Sequence, residues 1–260
     1  MSSSEIQGEL WGRAPTDWME LQESFSVPLW QSMLDSVGVG AGTTLLDAGC
    51  GAGGASVLAR HRGASVTGLD ASDALLALAR KRVPDGDFRV GDLEVLPFDN
   101  GVFEAVIAAS SIQYATQPLI ALQELARVAI SDGLISVGLF SSPEKVEYRV
   151  VFEAIADALP EPPRGEGAFA LSQPGTLERL MEAAGVRVID AREVDCPFTF
   201  SDMEAFWKGC ISAGPVQAAL EVVAAEELRT RLEDAAAPYQ RKDGSIRFEV
   251  AFRQVTARSR

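Results

Sequence analysis

The sequence predicts an α/β fold, a doubly wound and mostly parallel sheet, from three observations. Between positions 44 and 73 a short apolar run, Leu45-Leu46, meets a glycine cluster, then a helix-forming segment, then a second β-like run that stops at Asp70. Strand, glycine turn, helix, strand and acid make a βαβ unit of about 30 residues. The alternation then continues to residue 140 with strand-like runs that read as mostly buried, as a parallel sheet with helices on both faces requires. Finally, residues 245–255 alternate well enough to form an antiparallel edge strand.

Taken in order, residues 1–14 read as a mobile lead. Thr16 or Asp17 can cap a helix over 18–37, in which Trp18, Leu21, Phe25, Leu29, Met33 and Leu34 recur at near-helical spacing. Pro28 divides it into two segments. Glycines at 38, 40 and 42 turn the chain into the first strand, and 55–60 and 65–69 complete the first unit. Ser72 caps a helix that reaches Arg82 and buries Leu75, Leu76, Leu78 and Ala79. A third strand over 87–90 runs straight into Gly91-Asp92-Leu93, and a fourth over 102–109 into Ser110-Ser111-Ile112-Gln113-Tyr114.

Pro118 opens a helix that buries Leu119, Leu122, Leu125 and Val128 and ends at Asp132-Gly133, before a fifth strand over 134–140. Beyond it the pattern loosens. A helix over 146–159 is followed by a loop over 160–165, a helix over 174–184 closed by Gly185, and a sixth strand over 186–194. Two helices over 201–236, parted at Gly214-Pro215, precede the last strand.

The glycine cluster fits two patterns. Gly49, Gly51 and Gly54, with Asp70 nearly 20 residues on, match the dinucleotide fingerprint. Asp47, Gly49, Gly51 and Gly53 match an acidic-x-Gly-x-Gly-x-Gly loop instead. In either case glycine lets the backbone approach a ligand, a helix N-terminus points N–H groups at it, and the Asp70 carboxylate can accept both hydroxyls of a ribose.

The second pattern resembles the first motif of the class I S-adenosylmethionine (SAM)-dependent methyltransferases. Residues 91–98 look like that family's adenine-binding turn and 103–109 like its fourth strand, so the resemblance spans 44–140 and, loosely, the C-terminal strand. It implies a Rossmann-like seven-stranded sheet with an antiparallel C-terminal strand, helical cap insertions, and SAM as cofactor. It assigns the cofactor to Asp47, Gly49, Cys50, Gly51, Gly53, Asp70, Ala71, Asp92, Leu93, Ala109 and Trp18. Asp92 could accept the adenine amino proton or cap the turn at 94–95, and the resemblance favours adenine. Gln113 and Tyr114, just past strand four, are the catalytic candidates, acting by orienting the acceptor.

The expected organisation is one domain over 1–260. N-terminal helices (1–42) either close over the pocket or pack on the sheet; the SAM-binding core spans 43–140. Insertions at 141–172 and 201–240 are expected to hold the substrate, because loops on a rigid scaffold carry specificity. A net charge of −14 argues against a nucleic-acid partner, since phosphate binding needs a basic face. No apolar run reaches membrane-spanning length and no signal peptide opens the chain, so a cytoplasmic monomer or homodimer acting on a small molecule is expected.

Three scattered cysteines and one histidine form no disulfide framework or metal centre, and Cys50 reads as filler rather than nucleophile. His61, between Arg60 and Arg62 late in its helix, faces solvent on this reading. Three functions stay open: methyl transfer to a metabolite or natural product, a SAM-binding protein that does not methylate (cyclisation or structural use), and an NAD-linked oxidoreductase.

Overall fold

A computed structural model describes residues 3–161 and 167–260; the expected loop positions 162–165 lie outside the described residues. Three helices come first: α1 (Ser3–Trp11), α2 (Pro15–Leu21) and α3 (Val27–Ser36). The core then runs β1 (Thr44–Ala48), α4 (Gly54–His61), β2 (Ser65–Asp70), α5 (Asp73–Arg82), β3 (Asp87–Val90), β4 (Phe103–Ala109), α6 (Pro118–Val128) and β5 (Ala129–Phe140). After it come α7 (Arg149–Ala158), α8 (Thr176–Ala183), β6 (Arg187–Asp195), β7 (Phe198–Phe200), α9 (Met203–Ile211), α10 (Gly214–Ala219), α11 (Ala225–Ala236), β8 (Ile246–Phe248) and β9 (Ala251–Arg258).

Seven strands form one sheet in the order β3-β2-β1-β4-β5-β9-β6. The pairings β1–β2, β2–β3, β1–β4 and β4–β5 are parallel, and β9 is antiparallel to both its neighbours. The fold class is therefore the doubly wound, Rossmann-like sheet with one antiparallel C-terminal strand. Apolar layers cover both faces: Leu45, Ala105 and Ile107 face α3–α5, while Leu46, Val106 and Val137 face α6 and α8. Local chemistry explains the core helices. Ser72 accepts the Leu75 N–H as an N-cap, and Arg80, Lys81 and Arg82 complement the helix dipole at the other end.

Four expectations need correcting. Residues 3–11 are helix α1 rather than a mobile lead. Its glycine edge lies so close to β2's exit that a Cβ on Gly8 would strike the Ala71 carbonyl, and one on Gly12 the Ser72 hydroxyl, 2.8 Å away. Helix α6 ends at Val128, and β5 begins at once, absorbing Asp132 in a left-handed conformation (φ 64°) where a helix stop was expected.

The region 201–236 holds three helices, because Pro215 sits in the first turn of α10, where its missing N–H costs nothing. The last strand is not one edge strand. β8 pairs with β7 in a separate ribbon, and β9 lies inside the main sheet with β6 at the edge. The polar residues that make β9 look half-exposed are buried and bonded. Gln254 accepts from Ser32 (2.6 Å) and donates to Ser36 (2.9 Å), and Thr256 donates to Ser36 (3.0 Å).

Candidate active site

Where strand order reverses between β1 and β4, the chain leaves the two strands in opposite directions and opens a crevice at their carboxyl ends. A cavity of about 200 Å³ fills it. Of the residues singled out from the sequence, Trp18, Asp47, Gly49, Cys50, Gly51, Asp70, Ala71, Asp92, Leu93, Ala109, Gln113 and Tyr114 all line this cavity. Gly53 does not. It turns the chain into α4 at φ 82°, and a Cβ there would face Ala79, 3.0 Å away.

The loop after β1 is shaped from both sides. Gly49 donates to the Leu69 carbonyl (2.7 Å), which ties the loop to β2, and a Cβ on Gly49 would collide with Ser111. At Gly51 (φ 55°) a Cβ would project into the cavity, 3.8 Å from both Glu23 Oε1 and Trp18 Nε1. Left-handed backbone plus that open cradle is why glycine stands there.

Three carboxylates surround this loop. Asp70 accepts the N–H groups of Gly51 (2.8 Å) and Ser72 (2.9 Å). Asp47, 1% exposed, accepts the Ser56 hydroxyl (2.7 Å). Glu23, 4% exposed, pairs with Arg82 (2.5 Å), which also donates to the Ala52 carbonyl (2.8 Å). Burial raises the pKa of all three, and Asp47 is pushed up to about 7, helped by the charges of Asp70 and Glu23. Three acids against one guanidinium favour a ligand that brings positive charge, and oppose a pyrophosphate. Cys50 is buried and its thiol is raised well above the ordinary value by burial, which leaves it inert as a nucleophile.

At the end of β3, Asp92 caps the turn by accepting Glu94 N–H (2.8 Å), and it lines the cavity as well. Both local roles weighed for it are compatible with this placement. Glu94 in turn accepts Thr116 N–H (2.6 Å), joining the turn to the start of α6. Helices α1 and α2 cover the mouth. Trp11 meets Trp18 edge-on (4.7 Å between centroids) and Tyr114 edge-on (5.6 Å). Helix α3 packs on the sheet, with Leu29 and Met33 against Gly138, so the N-terminal helices divide between covering and packing.

Past Tyr114 the cavity becomes an aromatic chamber walled by Phe140, Phe152, Phe198 and Phe252, with Val151 and Ile155 of α7. Tyr148 points its hydroxyl at Cys210 Sγ (3.4 Å). Burial pushes Tyr114 up to about 12 and Tyr148 higher than a free tyrosine, so neither is a base at neutral pH. His61 is exposed, as expected from its helix. Among the described residues no group of three His, Cys, Asp or Glu side chains is arranged to hold a metal, and no helix is long and apolar enough to cross a membrane.

Sequence reasoning missed Glu23, Arg82, Trp11 and Ser111. Ser111 donates to the Ala48 carbonyl (2.8 Å) after Ser110 turns the chain at φ 53°. An acid within a helix-forming segment gives no sign of burial when its partner lies 59 residues away.

Comparison with known proteins agrees with this geometry. Residues 46–137 match the model of the methyltransferase domain. That match, within a sheet of this order, supports the class I SAM-dependent methyltransferase family as the one this chain is similar to. Among individual proteins it is similar to the demethylmenaquinone methyltransferase of Renibacterium salmoninarum, 35% identical over 133 residues, covering 50% of this chain and 56% of that one. The chain thus spans about half the length of the curated relatives it matches. Its fold is similar to a putative methyltransferase of Bacillus halodurans (TM-score 0.62, 15% identity, 88% of this chain and 98% of that one). It is also similar to the 4+2 cyclase SpnF (TM-score 0.57, 20% identity, 89% and 79%).

Proposed function

We propose that this protein transfers the methyl group of SAM to a small, largely apolar molecule, a secondary metabolite, and does so in the cytoplasm. The observation that carries the proposal is the pairing of a glycine cradle ringed by the buried Glu23 and Asp47 and the half-buried Asp70 with an aromatic chamber in the same cavity. The carboxylate set fits SAM, which carries a cationic α-ammonium and a cationic sulfonium, and fits NAD poorly, because its pyrophosphate would meet Glu23, Asp47 and Asp70.

When bound, SAM supplies an electrophilic methyl group on a sulfonium that leaves as a neutral thioether. The chain's own residues hold and orient. Asp70 has lone pairs beyond those used by Gly51 and Ser72 and takes the ribose hydroxyls. Asp47 and Glu23 would face the α-ammonium of the amino-acid end over Gly49, Cys50 and Gly51. Ala71, Asp92 and Leu93 take the adenine, with Trp18 and Ala109 closing the cofactor side. Gln113 and Tyr114 stand at the junction with the chamber and position the acceptor. Helices α1 and α2 exclude water, and α7 and α10 contribute lining residues beyond the cofactor side.

A second reading keeps the cofactor and drops the transfer. Among the described residues at the acceptor end, Tyr114 and Tyr148 are held neutral by burial and supply no base at neutral pH. Calorimetry with S-adenosylhomocysteine (SAH), SAM and NAD tests the cofactor: binding of the first two and not the third is expected. Release of SAH on incubation with SAM and apolar acceptors then separates transfer from non-methylating use. Tight SAH binding with no turnover on any acceptor would favour the second reading.

A further inference from the structure

Gln113 is the unusual polar group in this cavity. It is 8% exposed, it lines the cavity, and both its amide oxygen and its amide nitrogen lack a hydrogen-bond partner. The Tyr114 hydroxyl lies beside it, yet the pair forms no bond of ordinary length and angle. Other polar groups near the chamber are occupied: Gln22 donates to the Gly209 carbonyl (2.9 Å), and Tyr148 and Cys210 face each other. A buried amide with both ends unpaired is costly, so a satisfied partner is expected where such a group persists.

We propose that Gln113 reads the acceptor molecule through a planar group that presents a hydrogen-bond acceptor beside a donor, as a carboxamide or a hydroxyl next to a carbonyl does, carried on a flat aromatic body. This rests on the proposed function above and names the substrate class of the same site. The amide's oxygen accepts and its nitrogen donates, so only a ligand edge with one of each satisfies both. A carboxylate offers acceptors alone, would leave the Gln113 oxygen unpaired, and would enter a cavity already holding Asp47, Asp70 and Glu23. The body must be apolar and flat because Phe140, Phe152, Phe198 and Phe252 provide faces and edges for stacking. A site built to bond such a group rejects analogues that lack it, because its buried polar atoms are then left unpaired.

The test uses SAH-saturated full-length protein and three probes of one shape: 2-naphthamide, 2-naphthoate and 2-ethylnaphthalene. Binding is read by quenching of tryptophan fluorescence, with Trp11 and Trp18 at the cavity mouth. The wild type should bind the amide at least about tenfold more tightly than either other probe. Gln113→Leu, of similar volume, should lose that preference, keep its affinity for 2-ethylnaphthalene, and melt no lower than wild type without ligand.

Equal affinities for the amide and the hydrocarbon in wild type, or no amide binding to the SAH-loaded protein, would overturn the proposal. So would a Gln113→Leu variant that loses both probes equally, or one that melts several degrees lower, for the amide would then be structural. Failure of SAH itself to bind strikes the proposed function instead and is measured separately.

Discussion

Replacing Asp47 by Asn should make the unliganded protein more stable at pH 8 while weakening its hold on SAM. Asp47 is 1% exposed and its pKa is pushed up to about 7 from an ordinary 3.8. Because the folded state keeps this proton to higher pH than the unfolded chain does, the group's contribution to stability is full below about pH 4 and declines as pH rises through about 7. Three pH units at about 1.4 kcal/mol each set the loss at roughly 4 kcal/mol above pH 7, an upper figure.

Asn keeps an oxygen for the Ser56 hydroxyl and carries no charge, so the variant escapes most of that loss. At about 2–4 °C per kcal/mol for a chain of this size, it should melt at least about 5 °C higher than wild type at pH 8 and nearly level with it at pH 4.5. SAM binding should move the opposite way. If only the ionised Asp47 receives the α-ammonium of SAM, wild-type affinity rises about tenfold per unit up to about pH 7 and then levels, whereas the variant is weaker and flat. Melting curves and calorimetry from pH 5 to pH 8 check both. A variant less stable than wild type at pH 8, or a wild-type SAM affinity indifferent to pH, would refute the electrostatic argument.

Asp70→Ala should weaken SAM binding at least about tenfold by calorimetry; it also orphans the Gly51 and Ser72 N–H groups, so a loss of about 1–3 kcal/mol in denaturant stability is expected with it. Gly51→Val should abolish SAM binding because its side chain enters the cradle, and its left-handed backbone adds about 1–3 kcal/mol of strain, visible as a lower Tm with native circular dichroism retained. Tyr114→Phe should lower turnover about 10- to 100-fold with SAM affinity unchanged, the signature of a positioning group rather than a base. His61→Ala, at an exposed helix end, should leave turnover and SAM affinity near wild type; a dead variant with intact SAM binding would place the imidazole in the reaction.

Much of the frame was legible in the residues themselves. The βαβ unit, the cap at Ser72, the first-turn Pro118 and the short strand ending before Gly91 are written in local chemistry: a capping oxygen, a proline's fixed φ, runs of strand length. So was the convergence of the residues after β1, β2 and β3 on one cavity, because a doubly wound sheet delivers the carboxyl ends of its strands to one crevice whatever else surrounds it.

Tertiary structure alone decided the rest. Helix α1 has a weak pattern and forms where its glycines let it settle on Ala71 and Ser72. Strand β9 looks half-exposed because its polar residues are written like surface ones; only the partners Ser32, Ser36 and Ser136, more than 100 residues away, make Gln254 and Thr256 interior. Glu23 becomes part of the carboxylate ring only through Arg82, and Gln113 stands out only because the chamber around it is apolar and its amide is left unpaired. Sequence carries what each residue does to its neighbours along the chain. Burial, and with it the price of a charge or an unpaired amide, is set by residues far along the chain that folding brings into contact.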